Sequence, residues 1–276
     1  MATQFKPTSG YAPSGDGKIY FETAGSGRAL VFIHAGVSDR RMWDPQFETF
    51  ARDFQVIRFD LRGFGKSAIP PGPYSNRDDL RSVLAFLGVA KAALVGCSMG
   101  GTTAIDFALE HPEAASALVP VGAGVSGSKD WSPQTIKHFG EMMRLVQDRD
   151  LEGARERDAR FWINGPARDS SKIDSAYRDR ATQLHRENFS IERFAMPPEQ
   201  ELVPPAIGRL GEIRCPTMVV VGDSDADDLL KLSHRLASDI PGARHVTIEN
   251  AAHLPSLEHP DQFNAILRDF LVALPK

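Results

Sequence analysis

A serine lies in a glycine-rich turn, in the stretch LVGCSMGGTTA that runs from Leu94 to Ala104. An apolar, strand-like run precedes Ser98 and a helical pattern follows it, which is the context of the GxSxG pattern that presents a nucleophile. Side chains at the two flanking positions, Gly96 and Gly100, would collide with neighbouring elements in so sharp a turn, and glycine removes those collisions. We therefore predict that Ser98 is an exposed nucleophile at the carboxyl end of a strand.

A serine hydroxyl is a weak nucleophile unless a base removes its proton, and the base needs a partner that orients it. Of the eight histidines, only His34 and His253 follow predicted sheet strands. His253, in NAAHLPSLEHPDQF, lies between the last predicted strand and the last helix and is the candidate base. The other histidines are interpreted as structural residues of helices, helix ends or a strand: His111, His138, His185, His234, His245 and His259.

The orienting acid is expected directly after the strand TMVVVG, where GDSDADD supplies four aspartates. Asp225 is preferred because it lies three residues beyond the strand-ending Gly222, far enough to reach across the sheet edge. Asp223 is the alternative, and the remaining aspartates are interpreted as caps of the next helix. The helix that follows Ser98 points amide groups at a developing oxyanion, so the Met99 N–H is the first donor that we expect.

The elements that must position these residues alternate between strand and helix patterns. ALVFI, residues 29–33, is continuously apolar, as strands buried on both faces of a parallel sheet are. The alternation continues with a helix capped by Ser38 or Asp39, the strand FQVIRFD, a helix from about Ser75 to Leu87 and the strands AALVG and SALVPVG. After TMVVVGD, a helix, the strand ARHVTIE and a final helix complete it. This order predicts an α/β fold, a mostly parallel central sheet flanked by helices.

The alternation stops at Gly124 and resumes at Pro216, with no clear strand pattern between them. Two stretches of this region place apolar residues on one helical face each: Ile136, Phe139, Met143 and Val146, and Tyr177, Ala181, Leu184 and Ile191. We predict an α/β core of residues 1–124 and 206–276, interrupted by an inserted helical cap of residues 125–205.

The composition is that of an ordinary globular protein, with 276 residues, 42% hydrophobic, 25% charged and a formal net charge of −4. Lys and Arg are scattered, which argues against nucleic acid or an anionic membrane surface as a partner. The sequence shows no apolar signal region and no apolar run of the roughly 18–20 residues that a membrane span needs, so we expect a cytoplasmic protein. Cys97 and Cys215 are not spaced as a disulfide framework or a zinc site.

Three patterns that resemble ligand loops are discounted. GAGVSG, Gly122 to Gly127, matches GxGxxG but lacks the acidic residue about twenty positions on that a dinucleotide site needs. GFGKS has Asp60 where a phosphate loop needs its first glycine. DSDADD has Asp228 in place of the glycine of a calcium loop and His234 in place of its final glutamate. None of the three implies a cofactor or a metal.

The chain resembles the capped α/β-hydrolase superfamily over almost its whole length. Five segments resemble motifs of that superfamily and occur in its order: FIHAG, DLRGFGKS, GCSMGG, VVGDSD and AAHLPSLEHP. The superfamily's order of nucleophile, acid and base is matched by Ser98, Asp225 and His253. The esterase, enol-lactonase and C–C hydrolase branch is the most similar. By this resemblance the second oxyanion donor is the Gly36 N–H, with Ala35 beside it because the chain has HAG where the family has HG, and His34 braces the loop.

The resemblance implies a serine hydrolase that cleaves carboxylic esters or lactones through an acyl-enzyme, without cofactor or metal. C–C bond hydrolysis and perhydrolysis use the same triad and are the enzymatic alternatives, and a non-catalytic small-molecule receptor is the alternative of another class. An apolar cap suggests a small, partly apolar substrate, for which Trp131, Met142, Phe161 and Trp162 are candidate binding residues. The oligomeric state is left open, a homo-oligomer included.

Overall fold

The computed structural model describes residues 6–274, and these residues form an eight-stranded, mostly parallel sheet. In chain order the strands are β1 Thr8–Ser14, β2 Gly17–Ala24, β3 Ala29–Ile33, β4 Gln55–Phe59, β5 Ala92–Cys97, β6 Ala115–Val121, β7 Met218–Gly222 and β8 Arg244–Ile248. Their order in the sheet is β1-β2-β4-β3-β5-β6-β7-β8. The pairs β1/β2 and β2/β4 are antiparallel and the remaining neighbours are parallel, which confirms the predicted sheet.

Strand β1 is an addition that the sequence patterns did not indicate. Its residues, TSGYAPS, include Gly10 and Pro13, which weaken a strand pattern. A proline is tolerated here because β1 is an edge strand with one partner only, β2. The ends of the predicted core, residues 1–5 and 275–276, lie outside the described residues.

Helices pack on both faces of the sheet. The α-helices are α1 Asp44–Phe50, α2 Asn76–Phe86, α3 Met99–Glu110, α4 Pro133–Gln147, α5 Leu151–Trp162, α6 Ser175–Asn188, α7 Ile191–Phe194, α8 Asp227–Asp239, α9 Pro255–Glu258 and α10 Pro260–Val272. Short 3-10 helices span Arg40–Trp43, Ser170–Lys172, Ala206–Gly208 and Leu210–Glu212. None of the described helices combines the length and apolar character of a membrane span.

The continuously apolar strand β3 is buried along its whole length, as its pattern predicted. Leu30 and Phe32 contribute to the core on the side of α1 and α10, whereas Val31 and Ile33 contribute to the core on the side of α2, α3 and α8. Successive side chains of a strand point to opposite faces, so one apolar run supplies both cores.

Between β6 and β7 the chain leaves the sheet and forms α4, α5, α6 and α7. We call residues 125–205 the lid segment. In α6, Tyr177, Ala181 and Leu184 are buried, in agreement with the predicted face, whereas Ile191 lies beyond its end, in α7, and is exposed.

Helix α4 differs from the expectation. Of the predicted apolar face, Ile136 is 61% exposed and Met143 is 38% exposed. Phe139, also 38% exposed, lines the cavities beside Ser98, and Val146 is half-buried beside Met142. The buried residues are instead Thr135, His138 and Met142. The physical reason is a polar partner, because the buried His138 hydrogen-bonds to Asp158 of α5 and thereby sets which side of α4 faces inward.

The two ends of the lid segment meet at Ser126. The Ile207 N–H donates to the Ser126 carbonyl at 3.1 Å, and the Ala206 N–H donates to the Ser126 hydroxyl oxygen at 3.0 Å. That hydroxyl donates in turn to Asp106 of α3 at 2.7 Å. Burial raises the pKa of Asp106 to about 6, even though the Ser126 hydrogen bond opposes the rise. Both connections of the lid segment are therefore attached to the helix that begins behind Ser98.

Candidate active site

Ser98 lies between the end of β5 and the start of α3, with φ 53° and ψ −115°. A residue other than glycine is strained at positive φ and keeps that conformation only where its surroundings impose it. A Cβ at Gly96 would lie 2.1 Å from the Gly100 carbonyl oxygen, and a Cβ at Gly100 would lie 2.4 Å from the Ile33 carbonyl oxygen. These distances are too short for any real contact, so the collisions predicted from the sequence are confirmed.

His253 and Asp225 form a buried pair beside Ser98. The His253 Nδ1 lies 2.9 Å from Asp225 Oδ2 and 3.1 Å from Oδ1, and the two side chains are 2% and 1% exposed. Since a carboxylate only accepts hydrogen bonds, Nδ1 carries the proton and Nε2 is left for proton transfer. Asp223, the alternative acid, is exposed and accepts a hydrogen bond from the Ser224 hydroxyl.

Within residues 6–274 no hydrogen bond joins the Ser98 hydroxyl to the His253 ring. Such catalytic contacts are often long in the absence of substrate. Both side chains nonetheless line one cavity, and the Ser98 N–H is fixed to β6 by a hydrogen bond of 2.9 Å to the Val121 carbonyl.

Gly122 is a site residue that the sequence analysis missed. It follows β6 with φ 49°, and a Cβ there would lie 2.9 Å from Asp225 Oδ2 and 3.3 Å from His253 Nδ1. In the sequence it ends the strand pattern SALVPVG and begins the discounted GxGxxG pattern, and no spacing rule connects it to Asp225. The Asp225–His253 pair occupies the space that a side chain at position 122 would need.

Gly36 and Met99 line the same cavity as Ser98. A Cβ at Gly36 would lie 3.3 Å from Met99 Cε, so the two residues are neighbours. Met99 is the first residue of α3, where an N–H has no carbonyl partner within the helix. The Ala35 N–H donates to the Met42 sulfur at 3.3 Å, whereas no hydrogen bond of the described residues engages the Gly36 N–H.

His34 connects the Gly36 loop to the loop after β4. Its Nε2 accepts a hydrogen bond from the Leu61 N–H at 2.9 Å, so its Nδ1 carries the proton and donates to the Ala35 carbonyl at 2.8 Å. Complete burial lowers the pKa of His34, which keeps the ring neutral. Both ring nitrogens are occupied, and His34 therefore braces the loop.

Two cavities meet at Ser98 under the lid segment. The smaller, of about 320 Å³, also contains His253, and the larger, of about 540 Å³, extends along α3. Of the predicted substrate-binding residues, Met142 lines the smaller cavity, Trp131 the larger, and Trp162 both. The Trp162 ring also packs on the His253 ring at 4.6 Å between centroids.

Phe161 departs from the expectation that it contacts substrate, because it lines neither cavity that contains Ser98. Its ring stacks on the ring of His138, with centroids 4.0 Å apart and an interplanar angle of 12°. Adjacent residues of a helix point in different directions, and here Trp162 faces the cavities whereas Phe161 faces His138.

Arg193 of α7 is a cavity residue that the sequence analysis missed. It donates to the Gly36 carbonyl at 3.1 Å, and its guanidinium lies 3.6 Å from the centre of the Phe64 ring. Burial lowers the pKa of Arg193 to about 10, against the opposing charge of Asp158. The side chain stays a cation at neutral pH, beside the loop that carries the Gly36 amide. A single arginine in a polar stretch carries no pattern that would have identified it.

A family model described as the alpha/beta hydrolase fold matches residues 28–260. Over 92% of its length, the chain is 30% identical to the 2-hydroxy-6-oxononadienedioate/2-hydroxy-6-oxononatrienedioate hydrolase of Paraburkholderia phymatum, 91% of which is covered. Among solved structures, an esterase of Thermogutta terrifontis is similar with a TM-score of 0.77 and 24% identity, covering 98% of this chain and 100% of that chain. The enol-lactonase of Burkholderia xenovorans LB400 is similar with a TM-score of 0.71 and 24% identity, covering 95% and 100%.

These similarities span the sheet, the lid segment and the candidate site together. The chain therefore belongs to the α/β hydrolase fold family. It is a hydrolase, and the superfamily resemblance noted in its sequence motifs is confirmed.

Proposed function

We propose that this hydrolase cleaves carboxylic esters or lactones, with Ser98 as nucleophile, His253 as base and Asp225 as orienting acid. One observation carries the proposal: the strained Ser98 opens on the same cavity as a histidine whose other ring nitrogen is held by a buried carboxylate. This is the arrangement that activates a serine hydroxyl for attack on a carbonyl carbon.

The proposed reaction has two halves that use the same groups. In the first, His253 Nε2 takes the Ser98 proton while Oγ attacks the carbonyl, the Met99 and Gly36 N–H groups hold the oxyanion, and the imidazolium then protonates the leaving alcohol. In the second, His253 deprotonates a water that attacks the acyl carbon, the bond from that carbon to Ser98 Oγ breaks, the imidazolium returns its proton to Oγ, and the carboxylic acid leaves. Asp225 stabilises the imidazolium in both halves. Each oxyanion donor is expected to contribute roughly 10²–10³ in rate.

We infer that the lid segment acts as the cap of the site and that the substrate is small and partly apolar. Met142 and Trp162 give the smaller cavity an apolar wall opposite the polar groups of the sheet edge. Because Ser98 lies where the two cavities meet, the bond that is cleaved would have one group in each cavity. Both volumes are in the size range of small-molecule sites.

C–C bond hydrolysis is the second candidate, and two observations favour it. The Paraburkholderia phymatum relative is named for a substrate with a keto group and two carboxylates. Arg193 brings a half-buried cation to the cavity of Ser98, where it would attract a substrate carboxylate. The same triad can attack a ketone, so substrate chemistry distinguishes the two activities.

The first experiment measures turnover of p-nitrophenyl butyrate and labelling by a fluorophosphonate. Ser98→Ala should lose both, with a rate reduction of roughly 10⁴–10⁶, because triad members act as a unit. Ser238→Ala, a change of an exposed serine, is the matched control and should retain both. Labelling of the Ser98→Ala variant would overturn the assignment, and a wild-type protein that is neither labelled nor active would favour a receptor.

The second experiment separates the activities by their products. Purified protein is incubated with simple esters, lactones and a 2-hydroxy-6-oxo-dienoate, with and without hydrogen peroxide, and products are identified by mass spectrometry. Faster cleavage of esters or lactones supports the first candidate. Faster release of two acids from the dienoate supports C–C hydrolysis, and peracid formation supports perhydrolysis.

A further inference from the structure

The lid segment contains a buried polar cluster that the proposed mechanism does not use. Asp158 of α5 accepts a hydrogen bond from His138 Nε2 of α4 at 3.0 Å and another from His185 Nε2 of α6 at 2.8 Å. The three residues are 7%, 2% and 2% exposed, respectively. Burial of a carboxylate is costly even when it is paired, and apolar contacts would join three helices without that cost.

The hydrogen bonds show which nitrogen of each ring carries a proton. Burial alone would raise the pKa of Asp158, but the hydrogen bonds from His138 and His185 outweigh it and lower the pKa to about 2. The carboxylate is therefore ionised and only accepts, so each Nε2 carries a proton. In the neutral form of each imidazole the other nitrogen, Nδ1, is then a hydrogen-bond acceptor.

The two histidines differ in what surrounds Nδ1. The Nδ1 of His138 is buried next to the stacked ring of Phe161 and has no hydrogen-bond partner among the described residues. His185 instead lines the cavity of about 320 Å³ that contains Ser98 and His253. Its Nδ1 is not buried in this way, and no hydrogen bond of residues 6–274 engages it. His185 is thus the ring that offers a free acceptor to a bound molecule.

We propose that His185 is a specificity-determining residue whose Nδ1 accepts a hydrogen bond from a hydroxyl group of the substrate. The inference rests on the proposed function, because it requires the reacting carbonyl to lie at Ser98. The lone pair of Nδ1 repels a carboxylate, so the group that it selects is a donor. A sphere with the volume of the cavity is about 8.5 Å across, which places the hydroxyl within about six bonds of the carbonyl carbon.

Paired esters test the proposal. The kcat/KM values of methyl hexanoate, methyl 3-hydroxyhexanoate and methyl 6-hydroxyhexanoate are measured by acid release at constant pH. The wild-type protein should prefer one hydroxylated ester over methyl hexanoate by roughly three- to tenfold, the contribution of one hydrogen bond. His185→Phe, which keeps an aromatic ring without the acceptor, should reduce this ratio to about one. His185→Asn, which keeps an acceptor at the δ position, should retain a preference.

The readout is the ratio of kcat/KM for the preferred hydroxylated ester to kcat/KM for methyl hexanoate. A change in folding or in Ser98 reactivity alters both kcat/KM values together and leaves this ratio unchanged. An unchanged ratio in the phenylalanine variant, or a wild-type protein that prefers neither hydroxylated ester, would overturn the proposal. A second measurement uses only the wild-type protein: the ¹⁵N resonance of His185 Nδ1 should shift when one of the two hydroxy acids, 3-hydroxyhexanoate or 6-hydroxyhexanoate, binds and not when hexanoate binds. An equal response to hexanoate and to both hydroxy acids would overturn the proposal.

The proposed function can fail separately. If wild-type protein cleaves no ester and the fluorophosphonate does not label Ser98, the serine-hydrolase assignment is wrong. The NMR measurement still decides whether His185 binds a hydroxyl, since it depends on binding alone.

Discussion

Gly122→Ala would place one carbon atom against the proposed acid–base pair. The added Cβ would lie 2.9 Å from Asp225 Oδ2 and 3.3 Å from His253 Nδ1. An ordinary contact of this kind is about 3.4 Å or longer, so the carboxylate would have to move by about 0.5 Å. The backbone φ of 49° would also be strained by the methyl group.

Two magnitudes follow, one for stability and one for activity. An alanine in the left-handed region costs roughly 1–2 kcal/mol, which corresponds to a fall in Tm of about 2–8 °C for a domain of this size. A misplacement of about 1 Å in a catalytic group can cost about 10²-fold in rate, so a shift of about half that size predicts a fall in kcat/KM of about tenfold. We therefore expect a modest loss of stability together with a clear loss of activity.

Gly242→Ala is the matched control for the backbone strain. Gly242 has φ 71°, and no atom lies within 4 Å of the position that its Cβ would take. Both variants are compared by thermal unfolding and by kcat/KM for p-nitrophenyl butyrate. The two Tm values should fall by similar amounts, while only Gly122→Ala loses activity. Equal kcat/KM values in the two variants would refute the reasoning that Gly122 makes room for the Asp–His pair.

Three further predictions concern the lid segment and its attachment. The Asn188 side chain donates to Asp39 at 2.8 Å and accepts from the Gly65 N–H at 2.9 Å. Asn188→Ala removes both hydrogen bonds, so amide hydrogen exchange of α6 should accelerate and the free energy of unfolding should fall by about 2–4 kcal/mol. Unchanged exchange would contradict this. Burial raises the pKa of Asp106 to about 6, so the folded protein binds this proton more tightly than the unfolded chain and loses stability as pH rises from about 4 to 6. The free energy of unfolding of Asp106→Asn minus that of wild type, measured in urea, should therefore be larger at pH 8 than at pH 4 by up to about 3 kcal/mol. An equal difference at both pH values would contradict the assigned pKa. Monomethyl adipate carries a carboxylate that the Arg193 cation would attract, and dimethyl adipate does not. Arg193→Met should therefore lower the ratio of kcat/KM for monomethyl adipate to kcat/KM for dimethyl adipate by about tenfold. An unchanged ratio would show that Arg193 only supports the Gly36 loop.

The sheet could be predicted because its signals are local. A strand that is buried on both faces is continuously apolar, so β3 and β5 are readable without knowledge of their partners. The turn at Ser98 is readable for the same reason, since the glycines that relieve its collisions lie within two residues of it. Asp225 and His253 could be proposed from the sequence because they directly follow predicted strands, whose carboxyl ends meet at one edge.

The lid segment could be predicted only as helical. Its inward faces are decided by contacts between helices, such as the hydrogen bonds of Asp158 to His138 and His185, and a hydrophobic pattern does not contain that information. For this reason Ile136 and Met143 of α4 are exposed, and Phe161 packs on a histidine instead of facing Ser98. Gly122 was missed for a related reason, because its role depends on residues about a hundred and more positions away.

The meeting of both lid connections at Ser126 has an evolutionary consequence. Because residues 126 and 207 are joined by a direct backbone hydrogen bond, everything between them leaves and re-enters the core at one point. An insertion with adjacent ends can be exchanged for another of different length without moving the flanking strands. Recombination of one continuous gene segment could therefore replace the lid segment and, under the proposed function, change the substrate range. The codons of Ser98, Asp225 and His253 lie outside that segment and would be retained.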